Sequence, residues 1–505
     1  MTDGMWSGSL KETFMAWRGS PTSGLAMDCS PGGCAITESW IRRCIRSLLA
    51  IVVLGFLRPN ALPAAQLSAY PNSAVDPRCR VQTVDYKGWQ AQQISNSWVQ
   101  LTVVPQNGGR LMQVRFNGHS YLFVNPKLAG KYIPPAQDHW YNYGGDKLWL
   151  LPEGDDDEHH WRGNSDLLDD GHYNFRNLLD QQGCGIELTG PADSQTGVQF
   201  TRGIRLDQNS PRIAFLASMK NVSGHPIEWS MQSVSQYDTA DSNDALHPNR
   251  DFWGFTAANR SSGYLNRYHV RFGPAENPSA KVRNDDLFSV LYAPLAAEFW
   301  VDTTEGWLAV VDGSTRYAMV ERFQYQDHKN YPGNASVIFW TNGPHLKLNS
   351  DGVASVSNES EGPPLFYMEA EINSPLCHLR PGETCQLETE WFPTRADREF
   401  HGFTDAGIIS KPPRAERLAN GKVRLTGSFG VFYPGKLVAH FYSDRGSIAG
   451  TMPLMDVSPS ELAALDIEVA PPATPARVSL HLEDQNGLDR GAIFEVPISA
   501  GGETR

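Results

Sequence analysis

Short runs in which apolar and polar residues alternate, divided by Gly, Pro, Asn and Asp, recur along most of the chain. A period of two marks a strand with one buried face. Residues 98–104 and 110–116 fit it, joined by the turn PQNGG. The stretch FNGHSYLFV (116–124) predicts a hairpin built on Asn117-Gly118, a dipeptide that favours tight primed turns. Gly144-Gly145 predicts a turn or bulge, because glycine takes positive φ freely. Residues 147–151 (KLWLL) follow as a mostly apolar run, the pattern of a strand covered on both faces, and Pro152 ends it because proline cannot donate to a ladder. Alternation resumes at 200–206, 213–221 and 227–236, then at 299–312, 335–341, 366–372 and 383–392. No helix of ordinary length is predicted between 68 and 393, so the expected fold class is all-β. The polar stretch DTADSNDALHPNRDFWGF (238–255) is long enough to be a functional loop.

At 505 residues the chain exceeds one ordinary core, and shifts in composition divide it. Residues 66–400 form the main body, a large sandwich. Residues 401–417, polar with Pro412-Pro413, are expected to be a linker. Residues 418–505, with strands at 422–428, 436–442 and 477–483, are expected to form a small immunoglobulin-like β-sandwich with an accessory role. Residues 1–65 hold an N-terminal extension and a signal peptide. Arg42, Arg43 and Arg46 precede LLAIVVLGFL (48–57), and small residues then lead to Ala64 and Ala65. The apolar run is shorter than the roughly 20 residues a membrane span needs, so a secreted or periplasmic protein with no stable span after cleavage is expected. A net charge of −13 argues against a nucleic-acid partner. Nothing in the sequence sets the number of subunits.

Four cysteines follow the signal: Cys79, Cys184, Cys377 and Cys385. They admit two disulfides in any of three pairings, or free buried thiols. Cys377 and Cys385 flank HLRPGET, a strand–turn–strand pattern that favours a local bridge between them. No Cys-x-x-Cys pair follows the signal, so neither a structural zinc site nor a redox motif is indicated. The run DDDEHH (155–160) offers carboxylates and histidines but lacks the spacing of a calcium loop, and no metal or cofactor is assigned.

Two stretches carry candidate chemistry. YNYGGDKLWLLPE (141–153) brings Tyr143, Asp146, Lys147, Trp149 and Glu153 together, aromatic planes beside charged groups, which is the equipment of a sugar site. The same residues also fit a core strand with ordinary flanking charges. FYMEAEINS (366–374) places Glu369 and Glu371 two apart, hence on one face of a strand. The alternative there is a solvent-facing pair on an edge strand.

NGGRLMQVRFNGHSYLFVNP (107–126), YNYGGDKLWLLPE, ASMKNVSGHPIEWSMQSVSQYD (217–238) and FYMEAEINSPLCHLRPGETCQLETEWFP (366–393) run in the order that resembles the galactose-mutarotase-like superfamily. The GGDKLWLLPE element is most similar to its secreted branch known as domain of unknown function 4380. The resemblance implies a twisted β-supersandwich over roughly residues 80–400, with a shallow carbohydrate-facing groove. It also implies a glutamate base on a late strand before a turn, for which Glu371 comes first and Glu369 second. The acid histidine of such enzymes would fall within MQSVSQY (231–237), which has none. His247 in the following loop or His139 would have to replace it. Gln236, Arg110, His139, Tyr143, Asp146, Lys147, Trp149 and Glu153 are the expected sugar contacts. The function expected is that of an exported carbohydrate-binding protein. The alternatives are an aldose 1-epimerase-type enzyme and a structural envelope protein without a ligand.

Overall fold

The computed structural model describes residues 79–135, 141–154, 160–161, 167–342, 365–471 and 474–500, with the backbone of 346–348 and 354–356. These are strands and turns almost throughout. Two sheets of 12 and 10 strands pack face to face. The first runs, in spatial order, through Arg80–Tyr86, Trp89–Ser95, Val99–Val104, Arg110–Phe116, Asp146–Leu151, Ile227–Asp238, Tyr367–Asn373, Val337–Thr341, Ala297–Val301 and His269–Phe272. Thr384–Arg395 and Ile213–Asn221 lie at the middle of the second. One apolar core fills the space between them, joining Leu101, Val114, Leu148, Met231 and Met368 of the first sheet to Phe200, Ile204, Phe215, Val310 and Trp391 of the second. Tyr121 ties the layers directly, donating its hydroxyl to the Ala318 carbonyl at 3.1 Å.

The glycine pair is required by its neighbours. Gly144 and Gly145 have φ of 88° and 77°, and a Cβ on either would run into the backbone of Phe123 or Leu111. Gly145 donates to the Phe123 carbonyl at 2.8 Å and accepts from the Gln236 amide at 3.0 Å, which locks Asp146–Leu151 into register beside Ile227–Asp238. Two disulfides pair Cys79 with Cys184 and Cys377 with Cys385.

Residues 401–417 are not a linker. Most of that segment is the strand Gly407–Arg417, preceded by Gly402–Phe403, and it pairs with Val423–Val431 and with Asp489–Ala500. Its exposed Lys411, Pro412, Arg414 and Glu416 give it a polar reading, while Ile408, Ser410 and Ala415 are buried. Register shifts at Lys411 absorb the proline pair, as bulges do. The C-terminal strands form an eight-stranded sheet folded into a small sandwich. Its core continues into the main body, because Phe255, Trp307, Val320, Phe392 and Phe400 pack in one cluster with Phe429, Phe432, Leu437, Phe441 and Leu480. Phe392 stacks on Phe432 with ring centres 4.6 Å apart. Residues 72–505 accordingly make one compact unit.

Candidate active site on the outer face of the first sheet

Residues directly opposite one another in an antiparallel ladder share a face. The register therefore writes out what stands on the side of the first sheet that turns away from the inter-sheet core. One row reads Phe272, Glu298, Trp340, Glu369 and Gln236. The next reads His269, Trp300, Ile338, Glu371, Val234 and Lys147. A third brings Asn373, Gln232 and Trp149 into line. Glu369 and Glu371 sit on an interior strand, flanked by Ile227–Asp238 and Val337–Thr341, and not on an edge.

The two glutamates are hydrogen-bonded to each other, with Gln236 Nε2 donating to Glu369 at 2.5 Å and Gln232 Nε2 donating to Glu371. Burial pushes Glu371 well above the usual carboxylate range, and Glu369, Glu298 and Glu153 push it further. Burial also raises Glu369, but Gln236 and Lys147 oppose the rise. Both carboxyl groups of the pair thus sit above the ordinary range, Glu371 further than Glu369. Glu298 is raised by burial and held by the Trp300 indole N–H. Glu153 is exposed as a residue, but desolvation of its carboxyl and then Glu298 raise it to about 7, while a hydrogen bond to Trp149 opposes the shift. Four carboxyl groups therefore meet on this face.

Lys147 belongs to the same face but is buried at 3% exposure. Burial lowers its pKa, and Asp169, 3.4 Å away, counters that. Its ammonium lies 3.6 Å from the centre of the Trp149 ring, whose other neighbour is Trp161 at 4.5 Å. Trp149 is 7% exposed, so it is no open stacking plane. Arg110 is wholly buried, bound to Asp169 at 2.7 Å and to Asp170 at 3.5 Å, with a further bond to the Gly144 carbonyl. It positions Asp169 beside Lys147 and does not face solvent. Tyr143 is also wholly buried; its hydroxyl accepts from the Ile133 amide at 3.1 Å and its ring packs edge-on to Trp89. It cannot stack on a sugar as expected.

Asp146 departs furthest from expectation. It is directly opposite Ser235, one residue before Lys147, so its carboxylate turns the other way, into the space between the sheets. There it pairs with Arg202 and accepts the hydroxyls of Ser233 and Ser235 at 3.2 Å each. His247 also lies elsewhere, exposed in the loop after Ile227–Asp238 and bound to Asp244 at 2.8 Å. His139 and Asp155 to His159 fall outside the described residues. Among the described residues no group of three His, Cys, Asp or Glu is arranged to hold a metal ion.

Glu298, Trp300, Trp340 and His269 were missed by sequence reading. The signal was present in AEFWV (297–301), where Ala, Phe and Val turn inward and Glu298 and Trp300 outward. His269 shares a row with Glu371 but stands three strands away, roughly 14 Å at the usual strand spacing. A cavity of about 360 Å³ is lined by Asp251, Arg316, Asp397, Arg398 and Glu399, next to the start of the C-terminal sandwich. Two of its three carboxylates are paired with its two arginines, Arg316 3.1 Å from Asp397 and Arg398 3.9 Å from Asp251. The chemistry is on the sheet face instead.

No protein-family model matches the chain, and no curated protein does. Among solved structures it is similar to a protein from Synechocystis sp. PCC 6803, at 10% identity and a TM-score of 0.39, over 65% of this chain and 100% of that one. A galactose mutarotase-like protein from Clostridium acetobutylicum is similar at 10% identity and a TM-score of 0.40, over 63% and 100% of the two chains. Another, from Lactobacillus casei, is similar at 9% identity and a TM-score of 0.39, over 60% and 99%. At such identity and overlap the chemistry has to be read from this chain's own residues.

Proposed function

We propose that this is an exported carbohydrate-binding protein, of the mutarotase-like branch its GGDKLWLLPE element resembles, and that a sugar sits on the outer face of the first sheet against Glu369 and Glu371. The observation that carries this reading is the pair of adjacent glutamates in register with Trp340 and Trp300, both of which reach solvent. Indole faces pack against a pyranose ring, and the carboxyl groups engage its hydroxyls. A second reading is favoured by the unequal surroundings of the pair: Gln236 and Lys147 oppose the rise of Glu369, while neighbouring carboxyl groups add to that of Glu371. In that reading Glu369, the less raised of the two, takes the proton of an anomeric hydroxyl, and Glu371 protonates the ring oxygen as the ring C–O bond breaks. That is aldose 1-epimerase chemistry run by two glutamates, without the histidine missing from 231–237.

Charge-assisted hydrogen bonds to a partly buried ligand are worth about 1.5–3 kcal/mol. Glu369→Gln and Glu371→Gln should each weaken glycan binding by roughly tenfold to a hundredfold on an array and by calorimetry. Unchanged binding in both variants would remove the site. Optical rotation of fresh aldoses separates the two readings: binding without accelerated mutarotation leaves only the first.

Export is supported by the signal-like segment before Ala65 and by the two disulfides, which persist in oxidising compartments. N-terminal sequencing of the mature protein is expected to begin near Gln66. An intact N-terminus on cytosolic material would exclude export.

A further inference from the structure

The outer face carries an ordered pattern beyond the glutamate pair. Phe272, Glu298, Trp340 and Glu369 alternate aromatic and carboxylate, one per strand, at about 4.8 Å intervals. Phe272 is 47% exposed and lies 5.5 Å from the Trp340 ring. Gln236, wholly buried, ends the row; its Nε2 donates to Glu369, and its Oε1 has no partner among the described residues.

Among the described residues the charges on this face do not balance. Arg110 and Lys147 are buried and bound by Asp169, with Asp170 beside Arg110. Arg271 stands 5.9 Å from the Trp300 ring and faces Glu298. Against Arg271, among the described residues, stand Glu153, Glu298, Glu369 and Glu371, whose carboxyl groups all sit above their ordinary range. A surface rich in acceptors, poor in donors and flanked by indoles suits an ammonium, which carboxylates and ring faces both attract. A uronic acid would add a further carboxyl group to a face already crowded with them. A neutral sugar would offer these carboxyl groups no cation to ionise against.

We propose that the ligand is an oligosaccharide bearing free amines, seated along the row from Phe272 to Glu369. This rests on the carbohydrate reading above and narrows it. The test is calorimetry at mildly acidic pH with three short oligomers of matched length: glucosamine, N-acetylglucosamine and a uronic acid. The glucosamine oligomer should bind about tenfold tighter than its acetylated twin or more, weaken with added salt, and release protons into the buffer as the carboxyl groups ionise against it. Glu298→Gln and Trp340→Ala should each abolish that preference while leaving the melting temperature in place. Equal or tighter binding of the acetylated or uronic oligomer, still lost in Trp340→Ala, overturns the amine specificity and spares the carbohydrate reading. No binding by any of the three sinks both.

Discussion

Arg202→Met is expected to destabilise the protein by about 3–5 kcal/mol, because it leaves the Asp146 carboxylate unpaired between two sheets. Both side chains are at most 4% exposed, and water cannot replace the lost partner. The guanidinium also donates to the Asp146 carbonyl at 3.3 Å and lies 5.0 Å from the Phe215 ring, so one side chain ties the strand that carries Lys147 to the second sheet. Ser233 and Ser235 would remain, but two hydroxyls do not offset a buried charge. Asp146→Leu in the same chain should recover much of the loss, since replacing both members of a buried pair with apolar groups of similar size is often neutral. Urea unfolding of the wild type, the single and the double variant measures this directly. A cost below about 1 kcal/mol for Arg202→Met would mean the pair is not desolvated as its burial implies. Any loss of sugar binding in Asp146→Asn should then follow loss of structure, and not a lost contact.

The second large effect concerns Glu321, wholly buried in the same layer and hydrogen-bonded by the Tyr237 hydroxyl at 2.5 Å. Burial raises its carboxyl from the ordinary 4.5 to about 8; the Tyr237 bond lowers it and Asp146 nearby raises it. Between those two values the folded chain holds a proton that the unfolded chain has released. Its contribution to stability is intact below about pH 4.5 and is lost as pH rises through about 8. A rise of that size corresponds to something on the order of 3–5 kcal/mol across the window. Glu321→Gln keeps an acceptor for Tyr237 and has no proton to lose. Its unfolding free energy should therefore match wild type near pH 5 and exceed it near pH 9. The comparison isolates Glu321 from Glu371, Glu369 and Glu298, which titrate in both proteins. Parallel pH profiles for the two would show that Glu321 is not held neutral.

The outcomes at 141–153 show how far local pattern reaches. The turn at Gly144-Gly145 and the strand Asp146–Leu151 are as the residues predict, because positive φ and apolar runs are decided within a few residues. The roles of its charged groups were not so decided. Alternation does say that Asp146 and Lys147 point oppositely, but not which side faces the second sheet. That depended on Arg202, 56 residues away. Tyr143 and Trp149 looked like ring planes for a sugar, and only packing under Trp89, Lys147 and Trp161 showed them closed.

What the sequence determined by itself is the set of short-range features: the all-β class, the interior strands with clear alternation and the face shared by Glu369 and Glu371; it favoured, without fixing, the local bridge of Cys377 with Cys385. Edge strands such as Arg80–Tyr86 and Asn174–Leu179 were not legible, since with mostly exposed residues they carry little hydrophobic period. The strand Gly407–Arg417 was hidden by its prolines and its polar outer face, and its buried side is visible only once Val423–Val431 and Asp489–Ala500 flank it. The Cys79–Cys184 bridge closes a separation of 105 residues, which no local pattern encodes. The site itself was decided by tertiary structure. Glu298 and Trp340 reach Glu369 through ladder register, and register between distant strands is set by which faces must be buried together, a condition on the whole sandwich and not on any one segment.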